Sequence, residues 1–186
     1  LGRLTEKAYL AIALRALAAM DGPAPDLHVI GDGPERAALE RLAHGLDIGA
    51  RVHWHGAIVD EAQIAAIANT CRAFVYPGAV GLSLIHAMAY GLPCLVHDTP
   101  ELHMPEIAAF GDGATGLSFR HGSATALAEA IEALLSDESR LDAMSVACIA
   151  RTEQRFNTRD MARRFIAHVE SLDAAVPSGT PDRAAP

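Results

Sequence analysis

The sequence predicts an α/β domain with a doubly wound parallel sheet, on three observations. Short apolar segments typical of buried strands alternate with longer segments of helical periodicity, and strands separated by helices need crossover connections, which make them parallel. Of the 186 residues, 51% are hydrophobic, enough for one well-buried domain. Glycine-containing turns follow the predicted strands, as in sheets that bind ligands at the carboxyl ends of their strands.

Apolar spacing and helix-capping residues justify each element. Thr5 and Asp60 are placed to cap two helices, Pro34 suits the first position of another, and the Asp-Gly-Pro at residues 21–23 ends the first. In chain order, the predicted elements are a helix from Thr5 to about Met20, a strand over Leu27–Ile30, a helix from Pro34 to about Gly45, a strand over Arg51–His55, a helix from Asp60 to Asn69, a strand over Ala73–Tyr76, a helix from Gly81 to Tyr90, a strand over Cys94–Val96, a short helix near Pro105–Phe110, a strand over Gly116–Phe119, and helices over Ser123–Leu135, Ser139–Arg155 and Thr158–Leu172.

Both ends of the chain are predicted to differ from its body. Residues 1–3, Leu-Gly-Arg, are typical of the tail of a strand whose body lies upstream, near the centre of a sheet with Rossmann-type strand order. The chain is therefore expected to be part of a larger protein. Residues 1–173 form the domain, and its final helices pack back across it. Residues 174–186 have no periodicity and many breakers, so we expect a disordered tail.

Composition limits the class of partner. The formal net charge of −8 argues against general nucleic-acid binding, and no apolar run approaches the ~20 residues of a transmembrane helix. The three cysteines are scattered, as expected for reduced core residues. We therefore expect a small-molecule or protein partner. The expected location is the cytoplasm, with the inner face of a membrane as an alternative for the full-length protein.

The stretch Tyr76–Val96 predicts an anion site. A strand ends at Tyr76, a turn containing Pro77 and Gly78 follows, and a helix begins at Gly81. Such a turn exposes unpaired backbone N–H groups at the positive end of the helix dipole. These groups together suit a phosphate.

A single lysine, Lys7, stands among fourteen arginines. It follows Arg3 by four residues, at the predicted carboxyl end of the first strand. A compact ammonium group at this place favours binding of a negative charge. The alternative is a solvated lysine in the first turn of a helix.

Five motifs occur in order between Gly2 and about Phe165. They are G-R-L…K at residues 2–7, I-G-D-G-P at 30–34, V…G at 52–56, V-G-L…H-A-M-A…G…P at 80–93, and P-E-I…G at 105–116. In this order they resemble the C-terminal, donor-binding domain of GT-B glycosyltransferases of retaining family 4, also called group 1. The resemblance implies the Rossmann-like half of a two-domain enzyme, with the acceptor held by an N-terminal domain outside this chain.

The resemblance implies a nucleotide-diphosphate sugar as substrate, no further cofactor, no metal, and an unknown glycan, lipid or small-molecule acceptor. Breaking the bond to the diphosphate develops negative charge on the leaving oxygens, which Arg3 and Lys7 would stabilise as catalytic residues. Main-chain groups near Ile58 would read the base. Glu106 would reach the sugar or its loop; the alternative is an ordinary carboxylate at the start of a helix. The residues expected to bind the donor are Gly2, Ile58, Gly78, Val80, Gly81, Leu82, Ser83, His86 and Glu106.

The sequence departs from the family at two glutamates, which fall on Gly78 and His86. In the family the first usually touches the donor sugar and the second grips the ribose hydroxyls. A neutral imidazole at His86 can still bond to a ribose hydroxyl, but glycine cannot replace a carboxylate. The alternatives are a variant enzyme, a nucleotide-sugar-binding domain without catalysis, and a structural domain without a ligand. The fragment alone is expected to be inactive.

Other motifs give alternative sites. His53 and His55 would share one strand face, but no third ligand stands at a suitable spacing, so we expect no metal site. His97 and His103 follow a strand at the ligand end of the sheet, where they either line the sugar pocket or are ordinary polar loop residues. The G-D-G turn at residues 31–33 lacks the third glycine of a dinucleotide-binding fingerprint.

Overall fold

The structure is a computed structural model that describes residues 1–20 and 24–175. Strands and helices alternate along this part of the chain, as predicted. In chain order they are α1 (Leu10–Ala19), β1 (Leu27–Ile30), α2 (Arg36–Gly45), β2 (Val52–Gly56), α3 (Glu61–Ala68), β3 (Phe74–Tyr76), α4 (Leu82–Ala89), β4 (Cys94–His97), β5 (Gly116–Phe119), α5 (Ala124–Leu135), α6 (Glu138–Arg155) and α7 (Thr158–Ala175), with 3-10 helices at Glu6–Ala8, Gly49–Arg51, Pro100–Leu102 and Pro105–Ala109.

The strands form two parallel sheets. β1 pairs with β2, placing His28 beside His53, and β4 lies between β3 and β5, placing Leu95 beside Val75 and Leu117. Every strand pair among the described residues is parallel. The predicted α/β class is confirmed.

Helices cover both faces of the three-stranded sheet. Leu95 packs in a cluster with α1 and α5, whereas the flanking Cys94 and Val96 pack in a cluster with α4. This alternation arises because successive strand residues point to opposite faces. Every residue of β4 is buried, as expected for a central strand covered on both sides.

The predicted first helix begins later than expected. Thr5 makes no side-chain capping hydrogen bond, and Glu6–Ala8 form a 3-10 helix instead. Tyr9 then has a φ of 48°, a left-handed conformation that a right-handed helix excludes. α1 therefore begins at Leu10. The Asp-Gly-Pro expected to end it, at residues 21–23, lies outside the described residues.

Other boundaries lie close to the prediction. Asp60 caps α3 as predicted, because its carboxylate accepts a hydrogen bond from the Ala62 N–H at 2.8 Å. Pro34 lies two residues before α2 rather than in its first position. The helix expected near residues 105–110 is a 3-10 helix over Pro105–Ala109.

The final helices follow the prediction only in part. Along α6, Met144 packs with α5 and Cys148 packs with α4, so this helix crosses back over the domain as predicted. On α7, however, Met161 and Phe165 are 57% and 70% exposed. α7 continues to Ala175, into the predicted tail; residues 176–186 lie outside the described residues. No described helix, α7 included, is long and apolar enough to cross a membrane.

A cavity of about 450 Å³ lies between the two sheets. Its lining is mainly apolar and comes from both β1 and β3, together with Leu1 and Gly2. The Gly2 N–H donates to the Ile30 carbonyl at 2.9 Å. The first residues of the chain therefore lie between β1 and β3, where a central first strand is predicted, although residues 1–3 are not themselves in a strand.

Close backbone contacts with glycines hold residues 2–8, which we name the N-terminal segment. A Cβ atom on Gly31 would lie 1.8 Å from the carbonyl oxygen of Gly2. One on Gly78 would lie 2.0 Å from the carbonyl oxygen of Lys7. Because these separations leave no room for a side chain, only glycine permits the approach of the backbones. The segment is thus fixed between the loops that follow β1 and β3.

Candidate functional site

The two predicted catalytic cations lie on the N-terminal segment. Arg3 and Lys7 are exposed, and neither belongs to an ion pair among the described residues. The carbonyl oxygen of Lys7 accepts from the Ala79 N–H at 3.3 Å. The segment that carries the cations therefore lies against the turn that leads into α4.

The first turn of α4 has the properties of an anion site. Gly81 occupies the N-cap position and provides no side-chain cap. In the part of the chain that the structure describes, the N–H groups of Gly81, Leu82 and Ser83 donate no backbone hydrogen bond. Unpaired N–H groups and the helix dipole together attract negative charge.

Four of the predicted donor-binding residues line one open depression. They are Gly2, Leu82, Ser83 and His86, accompanied by Leu1, Ile85 and Ala89. The depression thus connects the N-terminal segment with the first turn of α4.

Val80 and Gly78 both make close contacts within the protein. Val80 is fully buried, its N–H donates to His103 Nδ1 at 3.2 Å, and its carbonyl accepts from the Met104 N–H at 3.0 Å. Its backbone groups are therefore used within the protein, and it supports the turn rather than offering a free donor. Gly78 presents its Cα to the backbone of Lys7, so it offers no group to a ligand on that side.

Glu106 directs a carboxylate oxygen towards the turn. Its Oε2 is buried and has no hydrogen-bond partner among the described residues. The same atom lies 3.8 Å from the position that a Cβ on Gly81 would occupy. Leaving a buried acceptor unpaired is costly. Glu106 thus lies beside the start of α4, in the first turn of the 3-10 helix over Pro105–Ala109, and its role towards the sugar stays a prediction.

Glu61, three residues after Ile58, contacts α4 through its side chain. Ile58 lies between β2 and α3, and Glu61 is the first residue of α3. Glu61 Oε1 accepts from His86 Nε2 at 2.7 Å and also from the Tyr90 hydroxyl. The sequence alone does not identify Glu61 as a site residue, because an acidic residue that follows an N-cap aspartate is ordinary at a helix start.

Three histidines cluster beside the turn that leads into α4. The ring centroid of His97 lies 3.7 Å from that of His103 and 4.4 Å from that of His121. His103 accepts from the Val80 N–H through Nδ1 and contacts the His97 carbonyl through Nε2 at 3.0 Å, so Nε2 carries the proton and donates. Burial, with smaller contributions from the two neighbouring rings, lowers the pKa of His97 to about 4. His97 is therefore neutral at physiological pH, and His103 supports the turn through its bond to the Val80 N–H.

The low pKa of His97 predicts acid sensitivity. The native state holds this imidazole neutral down to about pH 4, whereas the unfolded chain protonates it below about 6.5. Its contribution to stability is therefore complete above pH 6.5 and is lost as the pH falls to about 4, at up to about 1.4 kcal/mol per pH unit. Urea unfolding between pH 4 and 8 measures this. In the His97→Asn variant the free energy of unfolding should depend less steeply on pH. The control variant His44→Asn, at an exposed position on α2, should keep the pH dependence of the unaltered chain. An equal slope in both variants would contradict the assignment.

His53 and His55 form part of a different group, on β1 and β2. His28 Nδ1 lies 3.0 Å from His55 Nε2, and His53 bonds to Asp26 at 3.0 Å. Burial and the neighbouring histidines lower the pKa of His28. Within the described ranges, no group of three or more ligand side chains is placed to hold a metal ion.

Comparisons with known proteins identify the family. The family model described as Glycosyl transferases group 1 matches residues 1–154. The chain is 33% identical over 112 residues to an N-acetyl-alpha-D-glucosaminyl L-malate synthase of Bacillus anthracis, covering 60% of this chain and 28% of that protein. It is 30% identical over 144 residues to a GDP-mannose-dependent alpha-(1-6)-phosphatidylinositol dimannoside mannosyltransferase of Mycobacterium tuberculosis, covering 75% of this chain and 35% of that one.

The fold agrees with solved structures. The crystal structure of HepE from Anabaena in complex with UDP matches with a TM-score of 0.78 at 20% identity, covering 92% of this chain and 48% of that one. The chain spans about a third of the length of the two curated relatives. The resemblance found in the five motifs is confirmed, and the chain belongs to the group 1 glycosyl transferases.

Proposed function

We propose that this chain is the donor-binding half of a retaining glycosyltransferase, which transfers a sugar from a nucleoside diphosphate to an acceptor held by an N-terminal domain. The observation that carries the proposal is the contact between the Lys7 carbonyl and the Ala79 N–H. It holds the backbone of a residue with an exposed, positively charged side chain against the turn that leads into α4, whose start is uncapped. Both features attract a diphosphate. The retention of configuration and the N-terminal domain rest on the family resemblance.

In the proposed mechanism the first amides of α4 hold the diphosphate. As the bond between the sugar and the diphosphate breaks, negative charge collects on the leaving oxygens. Arg3 stabilises this charge through its forked guanidinium group and Lys7 through a point charge. The proposal includes no cofactor and no metal, because these groups supply the positive charge.

The remaining predicted residues surround the rest of the donor. The Glu106 carboxylate accepts a hydrogen bond from a sugar hydroxyl, and His86 contacts the ribose. Main-chain groups near Ile58 contact the base. The acceptor is a glycan, a lipid or a small molecule on the far side of the sugar.

One observation favours a second candidate function, donor binding without transfer. The position where the family usually has a sugar-contacting carboxylate is Gly78, which has neither a side chain nor room for one. The Glu106 carboxylate lies beside the same turn, however, so a variant enzyme remains the first candidate. Transfer assays on the full-length protein distinguish the two.

Calorimetry on this chain tests donor binding. HepE was solved with UDP, and the mycobacterial relative is named for GDP-mannose, so uridine, guanosine and adenosine diphosphates are compared with their nucleosides. At least one diphosphate should bind more tightly than its nucleoside. Absence of binding to all of them at millimolar concentration would favour a structural domain. Sugar transfer by this chain alone would contradict the proposal that another domain holds the acceptor.

A further inference from the structure

A carboxylate from α3 reaches the surface of α4 that carries His86. Glu61 Oε1 receives two hydrogen bonds, from His86 Nε2 at 2.7 Å and from the Tyr90 hydroxyl. His86 and Tyr90 lie one helical turn apart, so both face Glu61 from the same side of α4. The Glu61 side chain is 65% exposed and that of His86 is 33% exposed, so a ligand can reach the pair.

The contact with Glu61 determines which ring nitrogen of His86 can accept a hydrogen bond from a ligand. An ionised carboxylate only accepts hydrogen bonds, so the proton of a neutral His86 must lie on Nε2. The lone pair then lies on Nδ1, which becomes an acceptor for a ligand hydroxyl. Without Glu61, the imidazole could hold its proton on either nitrogen and rotate freely.

The contact also keeps Glu61 ionised and oriented. Hydrogen bonds from Tyr90 and His86 lower the pKa of Glu61. Desolvation and the bond to Glu61 raise the pKa of Tyr90 to about 12, so the phenol stays protonated and donates. Both contacts use Oε1, which leaves Oε2 as a second acceptor on the same carboxylate.

We propose that Glu61 is a positioning residue for the donor: it fixes His86 for one ribose hydroxyl and presents its own carboxylate towards the neighbouring hydroxyl. This inference rests on the proposed function. The carboxylate absent from position 86 is then supplied from α3, twenty-five residues earlier in the chain. Two adjacent acceptors, Nδ1 of His86 and Oε2 of Glu61, match the two vicinal hydroxyls of a ribose.

Removing the ligand's hydroxyls and the carboxylate separately tests the inference. Calorimetry compares UDP with its 2′,3′-dideoxy analogue on the unaltered chain, on Glu61→Ala and on Glu61→Gln. Glu61→Ala should lower the affinity for UDP by about 10- to 100-fold and leave the affinity for the dideoxy analogue unchanged. Glu61→Gln should lie between, because the amide oxygen still accepts but carries no charge.

Glu138→Ala is a matched control. Glu138 is likewise the first residue of its helix, follows an N-cap aspartate and pairs with a distant residue, Arg72. Its loss should change the affinity for neither ligand. Equal losses for UDP and the dideoxy analogue in Glu61→Ala would show a merely structural role and overturn the proposal, as would unchanged UDP affinity. If the unaltered chain bound none of the diphosphates, the proposed function itself would fail, and this inference with it.

Discussion

The Gly78→Ala variant should unfold at a clearly lower urea concentration than the unaltered chain, with a loss of about 3 kcal/mol in the free energy of unfolding. The added Cβ would lie 2.0 Å from the Lys7 carbonyl oxygen and within 2.9 Å of two Ala8 backbone atoms. All three are main-chain atoms of the N-terminal segment, so no side chain can rotate away to relieve the clash. Gly78→Glu, which supplies the carboxylate of the family, should lose at least as much and should not restore the family's site.

Gly45→Ala is the control for this substitution. Gly45 ends α2, and a Cβ there would meet no atom within 4 Å. The free energy of unfolding of the Gly45→Ala variant should stay unchanged or rise by up to about 1 kcal/mol, because alanine favours helix more than glycine does. An unchanged urea midpoint for Gly78→Ala would mean that the N-terminal segment moves aside readily, and that the predicted cations are not fixed against the α4 turn.

Lys7→Ala and Arg3→Ala should each weaken the binding of a nucleoside diphosphate by about 1.5–3 kcal/mol, the contribution of a charge-assisted hydrogen bond. In the full-length enzyme the rate of sugar transfer should fall further, by about 10²- to 10³-fold, because charge on the leaving group is greatest in the transition state. Calorimetry on this chain measures the first effect, and steady-state kinetics on the full-length protein measure the second.

Two comparisons make the result specific. Affinity for the nucleoside should change little in either variant, since it has no phosphate. Arg15→Ala removes an exposed cation from α1 and should leave diphosphate affinity unaltered. Unchanged diphosphate affinity in Lys7→Ala would identify the single lysine as a solvated surface residue and remove it from the site.

Local sequence patterns predict most of the fold. Gly116–Phe119 is a strand with the predicted bounds, and Asp60 caps α3, because apolar periodicity and capping depend on neighbouring residues. The predicted start of α1 is wrong, and the pattern of apolar residues does not reveal the reason. The apolar spacing continues through Tyr9, but the left-handed backbone at that residue separates the 3-10 helix from α1.

The exposed apolar side chains of α7 show another limit. Periodicity in that helix indicates an apolar stripe, and the prediction assigns the stripe to this domain. Phe165 and Ile166 instead remain 70% and 55% exposed. An amphipathic pattern shows that a helix has an apolar face but does not show which surface covers it.

For the candidate site, too, the sequence predicts individual residues but not the contacts between them. The motifs predict Lys7 and Ser83 on separate elements, and the contact between the Lys7 carbonyl and the Ala79 N–H brings those elements together. The Glu61–His86 contact joins residues from two helices, and nothing in the spacing of the two residues indicates it. Gly78 is singled out only as a missing carboxylate, whereas the structure shows why it is glycine: the Lys7 backbone occupies the space of a side chain.

The close crossings of the N-terminal segment have an electrostatic consequence. Gly31, Gly33 and Gly78 each meet a carbonyl oxygen of the segment at a distance that excludes a side chain. The backbone that carries the two cations therefore has its position before any donor arrives, and only their side chains need to become ordered. A charge that is already in place costs little reorganisation when negative charge develops beside it. In this scheme, three residues without side chains would thus lower the barrier to transfer.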